Sequence, residues 1–182
     1  MPPQVHVAAV EAPWGHVLVA GWDRGLVACE STVPFEPFVE RIGRRLRTEV
    51  TERRHPVLDE AVAQLEDFLA DRRRDFDLPI DLSDRPAWDQ AVLRAVCDVP
   101  WGRVASYGQL ARAVDRPGAA RAAGGAVARS PIGIVVPCHR IITADGSLGG
   151  YGVDGFGSRL DHLRLKRELL LREGVDIPLP AP

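Results

Sequence analysis

Cys138 closes the apolar run Ile134-Val135-Val136-Pro137 and is followed at once by His139 and Arg140. The thiolate, not the thiol, is the nucleophile, and a nearby imidazole or cation lowers the pKa that controls it. The β-branched residues predict a buried strand over 132–136, and Pro137 removes one more backbone freedom, so the sulfur would be held in place. Glu173, at the end of the last helix, is of the type that orients a histidine as the third group of a triad. Plainer readings stand beside these. Most cysteines are small buried hydrophobes. Neighbours on a strand point to opposite faces, so His139 would act through a turn or a water. A lone helix-end carboxylate is more often simply solvated.

The elements that would position these residues fall into two halves. Short β-branched runs at 5–10, 17–20 and 26–29, with turns at Pro13-Trp14-Gly15 and Asp23-Arg24-Gly25, predict an antiparallel meander. Helices are expected at 37–47 and 56–69, the second with Leu58, Val62, Leu65 and Leu69 in register. The alternating piece 78–82 would return as an edge strand, and 83–86 reads as a linker. Beyond it, 87–97 has a helical pattern, with Trp88, Val92, Ala95 and Val96 on one side. A short helix at 107–114, capped by Ser106, and another at 119–128 flank the tight turn Asp115-Arg116-Pro117-Gly118. This is a helix-turn-helix pattern. A second short strand is expected at 141–143, a hairpin turn at Asp145-Gly146, a glycine-rich loop at 149–157 and a closing helix at 160–173. The expected domains are therefore 1–84 and 85–182, in an α/β (α+β) fold.

Composition narrows the setting. The 182 residues are 46% hydrophobic, enough for a real core, with no run of eighteen apolar residues, so no membrane span is expected. Met1-Pro2-Pro3-Gln4 has no basic n-region, so no signal peptide is expected and the setting reads as cytoplasmic. Cys29, Cys97 and Cys138 form no CxxC pair, and thiols rather than disulfides or metal ligands are expected. The net charge of −2 hides an asymmetry. Residues 103–144 hold six arginines (103, 112, 116, 121, 129 and 140) against the single acid Asp115, which is +5, leaving −7 for the remainder. Such a segment suits an anionic partner or a solvated face in equal measure.

The 119–128 helix has an unusual surface for a DNA reader. Major-groove readers present long polar side chains to base edges. Ala119, Ala120, Ala122, Ala123, Gly124, Gly125 and Ala126 present almost none, and Arg121 is the one long side chain near the helix start. Small residues suit close approach to a shallow groove. They equally suit tight packing in a core.

Taken together, Pro137-Cys138-His139-Arg140, the approach Val99-Pro100-Trp101-Gly102-Arg103-Val104-Ala105-Ser106-Tyr107, the helix Ala119–Ala126, Gly150-Tyr151-Gly152 and Leu169-Leu170-Leu171-Arg172-Glu173-Gly174 resemble the O6-alkylguanine-DNA alkyltransferase (methylated-DNA–protein-cysteine methyltransferase) family. The match runs from about Pro86 to Gly174. The N-terminal half agrees only in outline, with the family's ribonuclease-H-like sheet. The resemblance implies a single-turnover repair protein that binds double-stranded DNA through the minor groove as a monomer and flips out an O6-alkylguanine. It takes the alkyl group irreversibly onto Cys138, with O4-alkylthymine a further candidate lesion and no cofactor. It implies that His139 deprotonates Cys138 through a water, Glu173 orients His139, and Tyr107 assists base rotation and leaving-group protonation. Arg121 fills the gap in the stack, and Ala119, Ala120, Gly124, Ser106 and Arg129 lie on the DNA side. Val136, Pro137, Tyr151, Gly152 and Ser130 line the pocket.

Three departures accompany the resemblance. Ser130 stands where the family usually carries an asparagine that links the helix-turn-helix to the active-site turn, and weaker coupling is expected. The stretch 152–162, with Gly155-Phe156-Gly157, is longer than the family's compact loop, which leaves Glu168 as a rival to Glu173. Trp22 and Val27 occupy the positions of a zinc site found in some relatives, so no metal is expected. Three competing readings remain. An alkyltransferase-like lesion sensor would lack the cysteine, a transcription regulator would carry polar base readers, and a cysteine hydrolase would turn over repeatedly.

Overall fold

The meander forms because apolar residues recur at every second or third position of the first strand. Val5, Val7 and Val10 of β1 (Val5–Ala12) are buried against β2 (Gly15–Trp22), with Val7 opposite Ala20 and Val10 opposite Val17. β3 (Gly25–Ser31) adds antiparallel to β2, and a strand missed in the sequence, β4 (Val50–Thr51), pairs parallel with β1, giving the order β3-β2-β1-β4. The structure, a computed structural model, describes residues 4–152 and 156–180. No helix among them is long and apolar enough to cross a membrane.

Two helices accompany this sheet. α1 (Phe35–Leu46) buries Phe38 and Ile42, and α2 (Pro56–Leu69) starts on a proline whose missing N–H costs nothing at that position. The buried stripe of α2 is Leu58, Ala61, Leu65 and Phe68, while the expected Val62 and Leu69 flank it half-buried. The expected edge strand at 78–82 reduces to one bridge. Leu26 N–H donates to Pro79 O at 2.8 Å and Asp81 N–H to Leu26 O at 2.8 Å. Gly25 is required beside it, since a Cβ there would lie 2.5 Å from the Pro79 oxygen.

By its contacts the chain divides into Met1–Asp84 with Pro131–Val135, and Arg85–Ser130 with Val136–Pro182. The expected strand at 132–136 does not form. Ile132 makes a single bridge to Cys29, and the chain then tightens about Ile134, whose φ is +65°, with Val135 N–H donating to Gly133 O at 2.7 Å. A left-handed β-branched residue is strained by about 1–3 kcal/mol, a conformation no propensity scale anticipates.

The second unit is mainly helical. α3 (Ala87–Cys97) buries Asp89, Val92, Leu93 and Val96, so the expected apolar side, with Trp88 and Ala95, is rotated to include an acid. β5 (Ala105–Ser106) leads into α4 (Tyr107–Ala113), and a turn leads on to α5 (Ala120–Ala128). Ser106 and Gln109 cap α4 reciprocally: Gln109 N–H donates to Ser106 Oγ at 3.2 Å and Ser106 N–H to Gln109 Oε1 at 2.6 Å. α5 packs on α3 and α4 through buried Ala123 and Ala126. β6 (Ile141–Ile142) pairs parallel with β5, so the turn at Asp145-Gly146 closes on Thr143 and Ser147 without making a β-hairpin. α6 (Arg159–Arg172) closes the unit, buries Leu163, Leu169 and Leu170, and is boxed at its start by Ser158 and Asp161.

Candidate active site and nucleic-acid interface

Cys138 sits on a turn, not on a strand end. Pro137 has φ −77° and ψ 59°, the inverse γ-turn geometry, and Cys138 N–H donates to Val136 O at 2.7 Å. A single 3-10 turn over Cys138–Arg140 follows, all three residues buried. This turn lets adjacent residues serve one site, which a strand would have prevented.

The network beneath the sulfur is built on Glu173, which follows α6. His139 Nε2 and Glu173 Oε1 lie 2.7 Å apart, Arg140 Nε donates to both carboxylate oxygens at 3.0 Å, and Gly102 N–H donates to Oε2 at 2.9 Å. Arg140 Nη1 also donates to Val99 O at 2.7 Å. Glu168 pairs instead with Arg172, so Glu173 is the carboxylate that meets His139. Burial would raise the Glu173 carboxyl, but the hydrogen bonds from His139 and Gly102 and the Arg140 charge outweigh it, holding it below the ordinary value. Burial depresses His139 below 6.5 despite the Glu173 contact, so the imidazole is neutral. With Nε2–H on the carboxylate, Nδ1 is the basic nitrogen, and it is buried with no hydrogen-bond partner among the described residues.

Burial pushes the Cys138 thiol up to about 11, opposed by a hydrogen bond from Ser130 and by Lys166. Burial thus favours the protonated thiol of Cys138 and the uncharged imidazole of His139 beside it in sequence. Ser130 is placed for this contact because its N–H donates to Val127 O at 3.1 Å, just past the end of α5.

Tyr107, the first residue of α4, lies between two backbones. A Cβ on Gly124 of α5 would sit 3.4 Å from its ring, and one on Gly149 would sit 3.3 Å from its hydroxyl. Burial raises the Tyr107 hydroxyl, and a hydrogen bond with the Gly150 backbone lowers it. Val136 and Pro137 are buried beside the sulfur, and Tyr151 is half-buried next in the loop. Gly152, at φ +71°, passes so close to His162 that a Cβ would lie 3.2 Å from its Nδ1. Of the lengthened loop, Gly155 lies outside the described residues, while Phe156 O is 2.6 Å from His162 Nε2.

The helix-turn-helix residues separate by role. Arg121 is exposed on α5, with Ala119, Ala120 and Gly124 half-buried around it. Arg129 is bidentate to buried Asp89, at 2.7 and 2.9 Å. Its charge is therefore matched, as is that of Arg140. The local excess of +5 thus overstates the charge that faces outward, and Arg103, Arg112, Arg116 and Arg121 are the arginines of the segment with no ion-pair partner among the described residues, Arg116 donating to the Asp115 backbone oxygen. Trp22 and Val27 are buried core, Trp22 donating to Asp81 at 2.8 Å, and among the described residues no three His, Cys, Asp or Glu side chains gather as metal ligands.

Two residues of this site escaped the sequence. Arg140 bridges Glu173 and Val99, and Lys166 is wholly buried on α6. Lys166 falls three residues from Leu163 and from Leu169, on the apolar stripe of the helix, and that spacing was the available signal.

Residues 87–175 match the family described as 6-O-methylguanine DNA methyltransferase, DNA binding domain. A methylated-DNA–protein-cysteine methyltransferase of Mycobacterium leprae is 34% identical over 92% of this chain and 95% of its own. The crystal structure of the Mycobacterium tuberculosis O6-methylguanine methyltransferase has a TM-score of 0.75 at 32% identity, covering 97% of this chain and 96% of that one. The structure of the M. tuberculosis OGT in complex with DNA has a TM-score of 0.72 at 30% identity, covering 94% and 95%.

Proposed function

The chain belongs to the methylated-DNA–protein-cysteine methyltransferase family, and from that premise we propose that it repairs double-stranded DNA by moving an alkyl group from O6 of guanine to Cys138 in a single turnover. The observation that carries this reading is that Cys138 and His139 are buried on one turn and His139 Nε2 lies 2.7 Å from Oε1 of buried Glu173 at the end of α6. It supports the following sequence. Arg121 enters the duplex as the small-residue face of α5 comes close, and the lesion base rotates out; flipping costs a few kcal/mol, least for a damaged pair. Val136, Pro137, Tyr151, Gly152 and Ser130 surround the base, and Ala119, Ala120, Gly124, Ser106 and Arg129 support the DNA side.

The chemical step is a displacement. His139 takes the thiol proton through a water, and Glu173 stabilises the imidazolium that forms. The Cys138 sulfur attacks the alkyl carbon, the S–C bond forms and the C–O6 bond breaks. The bonding pair leaves with guanine, and Tyr107 supplies the proton that the leaving base needs. The thioether is stable, so the protein is consumed. A buried, neutral resting thiol fits this use, because a nucleophile that works once must not react before its lesion arrives. In this proposal the protein acts as a monomer in the cytoplasm, on the nucleoid when bound.

Incubation with duplex DNA containing O6-methylguanine, followed by intact mass, tests the reading. One added methyl group on Cys138, absent in Cys138→Ala, is expected. An unmodified protein that still binds the lesion would instead make it a sensor, and repeated product release would make it a hydrolase.

A further inference from the structure

The lengthened loop ahead of α6 is gripped by a buried side chain that the transfer step leaves unused. His162 is buried in the first turn of α6, and its ring lies against two glycines of the chain leading into that helix. One is Gly152, where a Cβ would lie 3.2 Å from Nδ1 and 3.3 Å from Cγ. The other is Gly157, where a Cβ would lie 3.4 Å from Nε2. Both have a positive φ, +71° and +77°, which a side chain would strain. Nε2 is 2.6 Å from Phe156 O, and since a carbonyl only accepts, Nε2 carries a proton and donates.

The backbone under the ring is itself held. Ser158 and Asp161 cap α6 reciprocally, and His162 N–H donates to Ser158 O at 3.1 Å. One imidazole thus holds the chain on both sides of the extension, at 152 and at 156–157, to the start of one helix.

The grip on Gly152 reaches the site through one residue. Half-buried Tyr151 directly precedes Gly152. Upstream of Tyr151 the loop has supports of its own. Gly149 passes Tyr107, where a Cβ would sit 3.3 Å from the hydroxyl, and Gly150 O accepts from Lys166 at 3.1 Å. Tyr151 therefore hangs between two supports, and His162 is the downstream one.

We propose that His162 is a positioning residue that sets the alkyl-group selectivity of the Cys138 site: its ring fixes Gly152 and, through it, the Tyr151 wall against which the flipped base and its alkyl group are seated. The proposal rests on the alkyl-transfer reading. A methyl group touches little and needs a close wall to be aligned with the sulfur, and small misplacements of a reacting centre are costly in rate. A benzyl group fills a slackened pocket by itself.

The experiment compares wild type, His162→Ala and His162→Gln. It measures single-turnover transfer to Cys138 from duplexes that differ only in carrying O6-methylguanine or O6-benzylguanine, and reads the benzyl-to-methyl ratio of rates at saturating DNA. His162→Ala should raise that ratio about tenfold by slowing methyl transfer, the lower end of the roughly 10–200-fold by which a pocket discriminates one methylene. The DNA concentration giving half the maximal rate should stay near that of wild type, because α5 is untouched. His162→Gln, whose amide can donate to the same Phe156 carbonyl, should recover part of the wild-type ratio. Partial unfolding would lower the reactive fraction for both duplexes alike. A folded His162→Ala protein with an unchanged ratio, or with equal loss on both duplexes, therefore overturns the proposal. Should His162→Ala not fold, Gly157→Ala decides, since its added methyl group presses on the same ring from an exposed position. It should raise the ratio by less, and an unchanged ratio overturns the proposal. A wild type that gains neither group on Cys138 would sink the alkyl-acceptor reading, and this inference with it.

Discussion

The arginines of the helical unit are used in two opposite ways. Arg140 is buried, bonded to both oxygens of Glu173 and to Val99 O, and sets the geometry beneath Cys138. Arg103, Arg112, Arg116 and Arg121 are exposed and make no ion pair among the described residues. Buried charges interact strongly and are little screened, so they hold shape; exposed ones are screened within about 10 Å at 0.1 M salt and attract phosphate. Arg129 is intermediate, more than half exposed yet bidentate to a buried carboxylate. Charge counted along a sequence weighs all of these alike. The difference between holding and attracting appears only when partners are known.

The sharpest way to break this contrast is Glu173→Gln. The amide keeps the shape but removes the negative charge that Arg140 and His139 share. Leaving one partner of a buried ion pair unmatched costs about 3–5 kcal/mol, so a large fall in the urea midpoint is expected together with loss of transfer. A variant that melts like wild type would show that the network does not hold the turn.

The exposed face should respond differently. Arg121→Ala should leave stability and benzyl transfer from the free base nearly unchanged while slowing repair in duplex, because only duplex repair needs the stack filled. Equal loss on both substrates would remove Arg121 from the wedge role. Arg129→Ala should do the reverse, losing about 1–3 kcal/mol of stability because Asp89 is stranded in the core.

Legibility in the sequence followed the same divide. The spans of α2 and α3 were readable from periodicity and from the prolines at or just before their first residues. The small-residue helix and Arg121 were readable because they need only composition and order. Asp89 and Lys166 were not, since each is a charged side chain on an apolar stripe, whose burial depends on a distant bidentate arginine or on three carbonyls. The β-branched composition of 132–136 reads as a strand because composition records side-chain fit, whereas Ile134 takes a positive φ that composition does not register. Glu173 over Glu168 was readable only through the Leu-Leu-x-x-Glu-Gly pattern, with no physical reason visible until Gly102, His139 and Arg140 converged on it.

A smaller effect separates the two regions by pH. His139 is held neutral, its folded pKa below the 6.5 of a free imidazole. Below 6.5 the unfolded chain binds a proton that the folded chain refuses, so the His139 contribution is fully present above that pH and is lost as pH falls toward the folded value. Glu173 acts in the same direction further down, its depressed carboxyl losing its contribution as pH falls below 4.5. Denaturant melts taken downward from neutral pH should show stability declining by up to about 1.4 kcal/mol per pH unit once the unfolded imidazole is protonated. His139→Gln should flatten the first limb, whereas Arg121→Ala, whose charge does not change over this range, should retain it. An unaltered slope in His139→Gln would mean that the imidazole is protonated in the folded protein. It would then be held as a cation against Glu173, and His139 could no longer serve as the base for Cys138.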